Sequence, residues 1–277
     1  MFLDISAGLM LLSGAVHAGV NAVIKSGRDK MSSRALIDGF SALIVLPFLF
    51  VVPLPHGAWG WLVLSWATHL VYLLCLIKAF EGADMSAAYP IMRGSAPLLS
   101  ALGATLLIGE PMTLPVMLGV LIISIGAAAL AFERHVPRRA MLWAVATGGM
   151  IAAYTITDAQ GVRAAPSVAS YFVWVFVTLG GGVAALFALI RGRTFVVAAR
   201  SEWKPGLLAG AGSLLSYGLA LYAYRLGDIA MLAALRETSI LFGLLIAVLF
   251  LKEKVSLQRA IGAGMIAAGA AILLLFR

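Results

Sequence analysis

The chain is short of charge. Asp, Glu, Lys and Arg make up only 12% of its 277 residues, where a soluble globular domain carries about 25%. Cysteine is nearly missing: Cys75 stands alone, so no internal disulfide can form, and a lone thiol inside an apolar run says little about function. Long polar stretches are missing too. The longest, at about 25–33 and 191–203, are too short to fold into a domain of their own. No G-x-x-x-x-G-K-[ST] loop occurs, so nothing here cradles the phosphates of ATP to drive work by its hydrolysis. H-E-x-x-H, G-x-S-x-G and any carboxylate cluster with metal-ligand spacing are also absent. No metal and no cofactor are expected, and no catalytic residues are assigned.

What is present is apolar. Residues of the AVILMFWYC set make up 62% of the chain, and the mean hydropathy is +1.02. A membrane helix needs about 20 apolar residues to cross a hydrocarbon core of about 30 Å. Ten such runs occur, at roughly 4–24, 34–52, 60–80, 85–108, 112–132, 139–162, 167–190, 204–225, 228–251 and 256–276. The first lacks the basic segment of a secretory signal and carries Asp4 instead, so it reads as a retained helix. The expected fold class is an all-α integral membrane protein, multi-pass in the cell (inner) membrane, with the lipid bilayer as its surroundings.

The chain also repeats itself. Laying 93–132 over 236–275 without a gap gives thirteen identities in forty, including Arg93/Arg236, Glu110/Glu253, Gly119/Gly262 and Gly126/Gly269. Chance alignment of Ala and Leu does not readily bring an Arg, a Glu and two Gly to one offset. Two repeats follow, 1–135 and 136–277, each of five helices. An odd helix number makes the second copy enter the membrane from the opposite side, so the repeats are inverted. Secondary transporters are often built this way, with a site near the midplane between two halves.

Lys and Arg set the orientation. Connections after helices 1, 3, 5, 7 and 9 hold fifteen of the twenty, from Lys25 to Arg259, against three on the other face, Arg163, Arg225 and Arg277; Arg93 and Arg236 lie inside helices. The bias puts the first face in the cytoplasm and both termini outside. It also accounts for the net charge of +8 without any nucleic-acid partner.

The stretch Tyr89-Pro90-Ile91-Met92-Arg93-Gly94-Ser95-Ala96-Pro97-Leu98-Leu99, then Gly109-Glu110-Pro111-Met112-Thr113 and the Gly119/Gly126 helix, resembles the EamA-like branch of the drug/metabolite transporter superfamily, ten-helix type. Its counterpart from Leu251 to Ser256, followed by Gly262 and Gly269, does so too. The resemblance implies ten helices, two inverted halves and secondary transport of small metabolites, often the export of amino acids or related compounds.

Candidate residues follow from membrane depth. Arg93 lies about eight residues, or about 12 Å, into the fourth run. A central Arg costs at least about 2.5–3.5 kcal/mol on insertion scales, and Pro90 and Pro97 beside it free backbone carbonyls. A broken helix lining a cavity is expected there, with no evident permanent counter-ion for Arg93. Arg236 occupies the equivalent place, next to Glu237, which either neutralises it or faces another helix. Two such guanidiniums suit a carboxylate, phosphonate or phosphate, held bidentately. Tyr89, Tyr154, Tyr171, Trp174 and Asn21 are expected to line the substrate site. His17, His69 and Asp158 are candidates for proton coupling, with Asp158 expected near the outer interface. Thr113 and Ser256 read as N-caps of helices 5 and 10, with Glu110 and Glu253 near the positive helix ends. The glycines of helices 5 and 10 let helices approach closely, either within one chain or in a homodimer.

The expected function is therefore secondary active transport, as an exporter, of a small zwitterionic or anionic metabolite. The alternatives are a non-transporting scaffold or channel, or an intramembrane enzyme.

Overall fold

The computed structural model describes residues 4–26, 30–130, 136–249, 252 and 255–276. Among these the regular structure is helical throughout. The helices are α1 (Ile5–Ser26), α2 (Lys30–Val45), α3 (Trp59–Gly82), α4 (Met85–Gly103), α5 (Leu114–Ala129), α6 (Arg138–Ala164), α7 (Val168–Val175), α8 (Gly181–Arg191), α9 (Arg193–Leu226), α10 (Ile229–Leu235), α11 (Ser239–Leu249) and α12 (Leu257–Leu275). Several form continuous rods with tighter or wider turns between them: π turns follow α4 at Ala104–Ile108 and join α7 to α8 at Phe176–Gly180, and a 3-10 turn, Arg236–Thr238, joins α10 to α11. Among the described residues, eight helical stretches are long and apolar enough to cross a membrane, and two more, Ile5–Asn21 and Leu114–Ala129, are shorter apolar helices. Their outer faces carry bare apolar side chains such as Phe50, Leu106, Leu107 and Leu189. Such a surface is stable against lipid and not against water: the chain is a multi-pass membrane protein.

Two expectations are corrected here. The stretch 191–203 is no polar connection: α9 begins at Arg193, and a kink at Glu202, just before Pro205, separates its first turns from the apolar rod that follows. Helix α4 is not broken at Pro90 or Pro97 but stays α-helical to Gly103; Ser95 Oγ bonds back to the Ile91 and Met92 carbonyls of its own helix, which keeps this hydroxyl satisfied inside the bundle. The interruption falls at Arg236–Thr238 instead, where Thr238 Oγ1 donates to the Leu235 carbonyl at 2.7 Å.

Helices α3 and α4 pack on α6, α1 and α2 on α9, and α5 on α12. The last contact is made by glycine. Cβ atoms built on Gly119 and Gly269 would lie 3.1 and 2.8 Å from each other's carbonyl oxygens, and those on Gly126 and Gly262 at 2.9 and 2.8 Å. Any larger residue drives the helices apart, so these glycines serve a contact within one chain. Ser256 caps α12 by accepting from Arg259 N at 3.3 Å, whereas Thr113 holds the N-cap position of α5 without a side-chain bond. Glu253 lies outside the described residues.

Burial is uneven along the bundle. One large apolar core joins the starts of α1, α3, α7 and α10 to the ends of α4, α6, α9 and α12, and includes Met10, Leu62, Tyr171, Leu221, Ile229 and Leu235. The same end is bolted by Arg163, whose guanidinium donates to Glu110 Oε1 at 2.9 Å, the Tyr224 carbonyl at 2.9 Å and the Gly227 carbonyl at 2.7 Å. Glu110 Oε2 also accepts from Ile229 N at 2.8 Å. Glu110 is thus structural, but it serves the start of α10 rather than that of α5. Gly109, at φ +78°, supplies the left-handed turn that presents it. Arg225 donates to the Val162 and Ala165 carbonyls, so both arginines of this face are tied to the protein.

Candidate functional site

The two repeat-equivalent arginines have different fates. Arg93 points from α4 to the 3-10 turn and is only 8% exposed. Its Nε lies 2.8 Å from Glu237 Oε2, and its Nη2 donates to Ser239 Oγ at 2.9 Å. The Nε–H does not point along the line to the carboxylate, so attraction between the charges rather than a formed hydrogen bond holds that contact. The expectation that Arg93 lacks a counter-ion is therefore overturned. Glu237, 3% exposed, neutralises Arg93 and not its neighbour Arg236, because successive helical residues diverge by about 100°.

Arg236 turns to the other side. Its guanidinium lies over the Tyr217 ring, 5.5 Å from the centroid, with Tyr154, Tyr224 and Arg93 as its other electrostatic neighbours. Among the described residues no carboxylate comes within ion-pair distance of it. The buried Tyr224 hydroxyl interacts with Arg236 and with Thr155, so Arg236 is surrounded by tyrosines with no carboxylate in ion-pair contact among the described residues.

Around these arginines the sequence's candidates largely converge. Tyr89 lies under Arg93, 5.9 Å from its ring centroid. His69 stacks on Tyr154 at 4.2 Å and 22°, and its Nδ1 is 2.8 Å from the Ser65 carbonyl. His17, on α1, has Arg236 and Arg93 as electrostatic neighbours. Asp158 is corrected: it is not at a solvated interface but 1% exposed, accepting from the Tyr171 hydroxyl at 2.8 Å and, through a short hydrogen bond, from the Tyr217 hydroxyl. Gly161, one turn beyond, leaves the space the Tyr171 ring fills. His17, His69, Tyr89, Tyr154, Tyr217 and Arg236 all keep partial exposure, so they border a crevice rather than a solid core. Two candidates stay apart. Asn21 makes no hydrogen bond among the described residues, and Trp174 packs edge-on against Trp59 at 4.9 Å with its indole N–H unpartnered.

The sequence reading missed Tyr217 and Tyr224, seven residues apart and so on one face of α9, and Tyr72, whose ring meets Tyr154 edge-on at 5.6 Å. It also took Arg34 for a loop charge, whereas Arg34 pairs with the buried Asp38 one turn on, at 2.7 Å. A spacing signal was there in each case. A separate hollow of about 540 Å3 among Leu9, Ile44, Phe172, Leu214 and Tyr222 is apolar and suits a lipid chain, not a polar metabolite.

Known proteins bear on the fold and the family. A solved structure that carries no functional description superposes over 98% of this chain and 97% of its own with a TM-score of 0.76 at 19% identity, which speaks for the fold alone. An uncharacterized transporter in the cobO 3' region of a Sinorhizobium species is 44% identical over 87 residues, 31% of this chain. The match spans about half, 56%, of that relative's length. Residues 138–275 match the EamA-like transporter family, and the chain belongs to that family.

Proposed function

We propose that the protein is a secondary active transporter that exports a small metabolite bearing an acidic group, an anion or a zwitterion, and that Arg236 holds that group. The observation that carries this reading is the asymmetry of the arginine pair. At the position where the second half has Glu237, the first half has Gly94, so Arg93 has a carboxylate partner and Arg236, among the described residues, has none in ion-pair contact. A guanidinium inside a bilayer needs a counter-charge, and a ligand carboxylate or phosphonate supplies it in the bidentate geometry that Arg favours. Tyr154, Tyr217 and Tyr224 provide apolar surface and hydroxyls for the rest of the molecule.

In this reading the eight long apolar helices and the two shorter ones form two inverted halves that work by alternating access. In the α5–α12 contact Gly119 faces Gly269 and Gly126 faces Gly262, the reciprocal antiparallel pairing that a two-fold axis in the membrane plane generates between equivalent helices. The Arg163–Glu110 bolt and the large apolar core close one end of the bundle, and in this reading that end is the outer one. With both termini outside, reporters fused to the C-terminus are active only in the periplasm; cytoplasmic activity contradicts the orientation.

Counterflow in proteoliposomes tests the function. Vesicles preloaded with each of a panel of amino acids, aminophosphonates and the matching decarboxylated amines should exchange at least one acid and none of the amines. Exchange of amines alone, or none at all, refutes the reading.

A further inference from the structure

Helix α9 is longer than a bilayer needs. Its 34 residues, at about 1.5 Å each, would reach about 51 Å, well past a hydrocarbon core of about 30 Å. The 22 residues from Pro205 to Leu226 (226 minus 204) cover that core by themselves, at about 33 Å, so the turns from Arg193 to Ser201 lie beyond it. The flanking residues say how far beyond. Leu189 and Ile190, at the end of α8, are bare apolar side chains, and so are Leu207 and Leu208 after the kink. Both ends of the segment therefore meet the edge of the lipid-facing belt. Gly192, at φ +49°, turns the chain into the segment, and the non-helical Glu202, at φ −116° and ψ 15°, turns it back towards the core. A short helix held at one level by both ends lies along the membrane surface.

The segment has two faces. Inward, Phe195 packs on Ala35, Val183 and Phe187, and Ala198 is buried. Glu202, the only acid between Gly192 and Gly227, accepts from Ser33 Oγ of α2 at 3.0 Å. Outward, Arg193, Val196, Val197 and Arg200 stand at i, i+3, i+4 and i+7, which is one helical stripe, and all four are exposed. A stripe that mixes valines with arginines fits neither hydrocarbon nor water alone. It fits the boundary, where apolar groups enter the acyl region and guanidiniums reach outward to the headgroups. Past the kink Trp203 is exposed as well, with Lys204 Nζ 5.6 Å from its ring centroid; tryptophan favours that same depth. We propose that residues 193–204 are an interfacial element that binds anionic phospholipid: Arg193, Arg200 and Lys204 take the headgroup phosphates, while Val196, Val197 and Trp203 enter the acyl boundary. The charge is one-sided, since the segment's single acid is turned to α2, and anionic lipid complements it. This assignment does not depend on the transport reading.

The test is a lipid titration of the full chain in detergent, read as the rise in melting temperature. Phosphatidylglycerol should stabilise the wild type, and phosphatidylcholine or inorganic phosphate should not. The midpoint of the phosphatidylglycerol titration should rise about fivefold for each charge removed by Arg193→Gln, Arg200→Gln and Lys204→Gln, singly or together; the single variants serve if the triple one fails to fold. Arg138→Gln with Arg139→Gln removes two exposed charges at the start of α6 and should leave the midpoint in place. A second reading fixes depth: a fluorophore on Val197→Cys, in a Cys75→Ser background, should be quenched by brominated acyl chains in phosphatidylglycerol vesicles and shielded from aqueous iodide. Equal stabilisation by phosphatidylcholine or by inorganic phosphate overturns the proposal. So does an unmoved midpoint in the 193–204 variants, an equal loss in the α6 variant, or a label open to iodide and untouched by the brominated chains.

Discussion

Arg93 and Arg236 stand at equivalent places in two aligned stretches of forty residues, thirteen of them identical, yet one is locked and the other is open. Arg93 is buried against Glu237 and Ser239; Arg236 lies on an aromatic face with no carboxylate in contact among the described residues. The cause is the next position. Where the second copy places Glu237, the first places Gly94, where a Cβ would sit 2.8 Å from Ala128 N and Ser124 O of α5. Close packing of α4 on α5 thus denies the first copy its acid, and the shortage falls on Arg236. In the proposed reading, the difference at this one position pairs one arginine within the protein and leaves the other for a ligand.

Breaking the locked side should cost most. Glu237→Gln leaves Arg93 charged, buried and unpaired, which costs about 3–5 kcal/mol and should appear as a large fall in melting temperature in detergent. The double variant Arg93→Met with Glu237→Met buries no charge and should melt well above either single variant. Gly94→Ala tests the cause directly: its methyl meets backbone, not a flexible side chain, and overpacking of this kind costs about 1–3 kcal/mol. On the other side, Arg236→Gln removes a cation–π contact, worth about 0.5–1 kcal/mol, and a contact with the Tyr224 hydroxyl, so thermal stability should change less than in Glu237→Gln.

Much of this was legible in the sequence. The apolar runs, the repeat, both arginines and the glycines of α5 and α12 follow from composition and offset, because helix packing in a membrane leaves a small-residue pattern. Partner choice was not legible. Whether Glu237 turns to Arg236 or to a helix 144 positions away (237 minus 93) depends on the 3-10 turn at Arg236–Thr238, which no local signal announces. Asp158 looked interfacial because counting along α6 puts it near an end. The core beyond it, with Val162, Ala165 and Tyr171, is assembled from distant segments.

The open arginine is tested most directly by ligand-induced thermal shift on one panel of amino acids and their carboxamides, measured on the wild type, Arg236→Lys and Arg93→Lys. The wild type should be stabilised by at least one acid and not by its amide. Arg236→Lys should melt as the wild type does without ligand and lose that discrimination, since the bidentate fork is gone. Arg93→Lys should melt lower while preserving it. An Arg236→Lys protein that still tells the acid from the amide, or an Arg93→Lys protein that alone loses the distinction, contradicts the account.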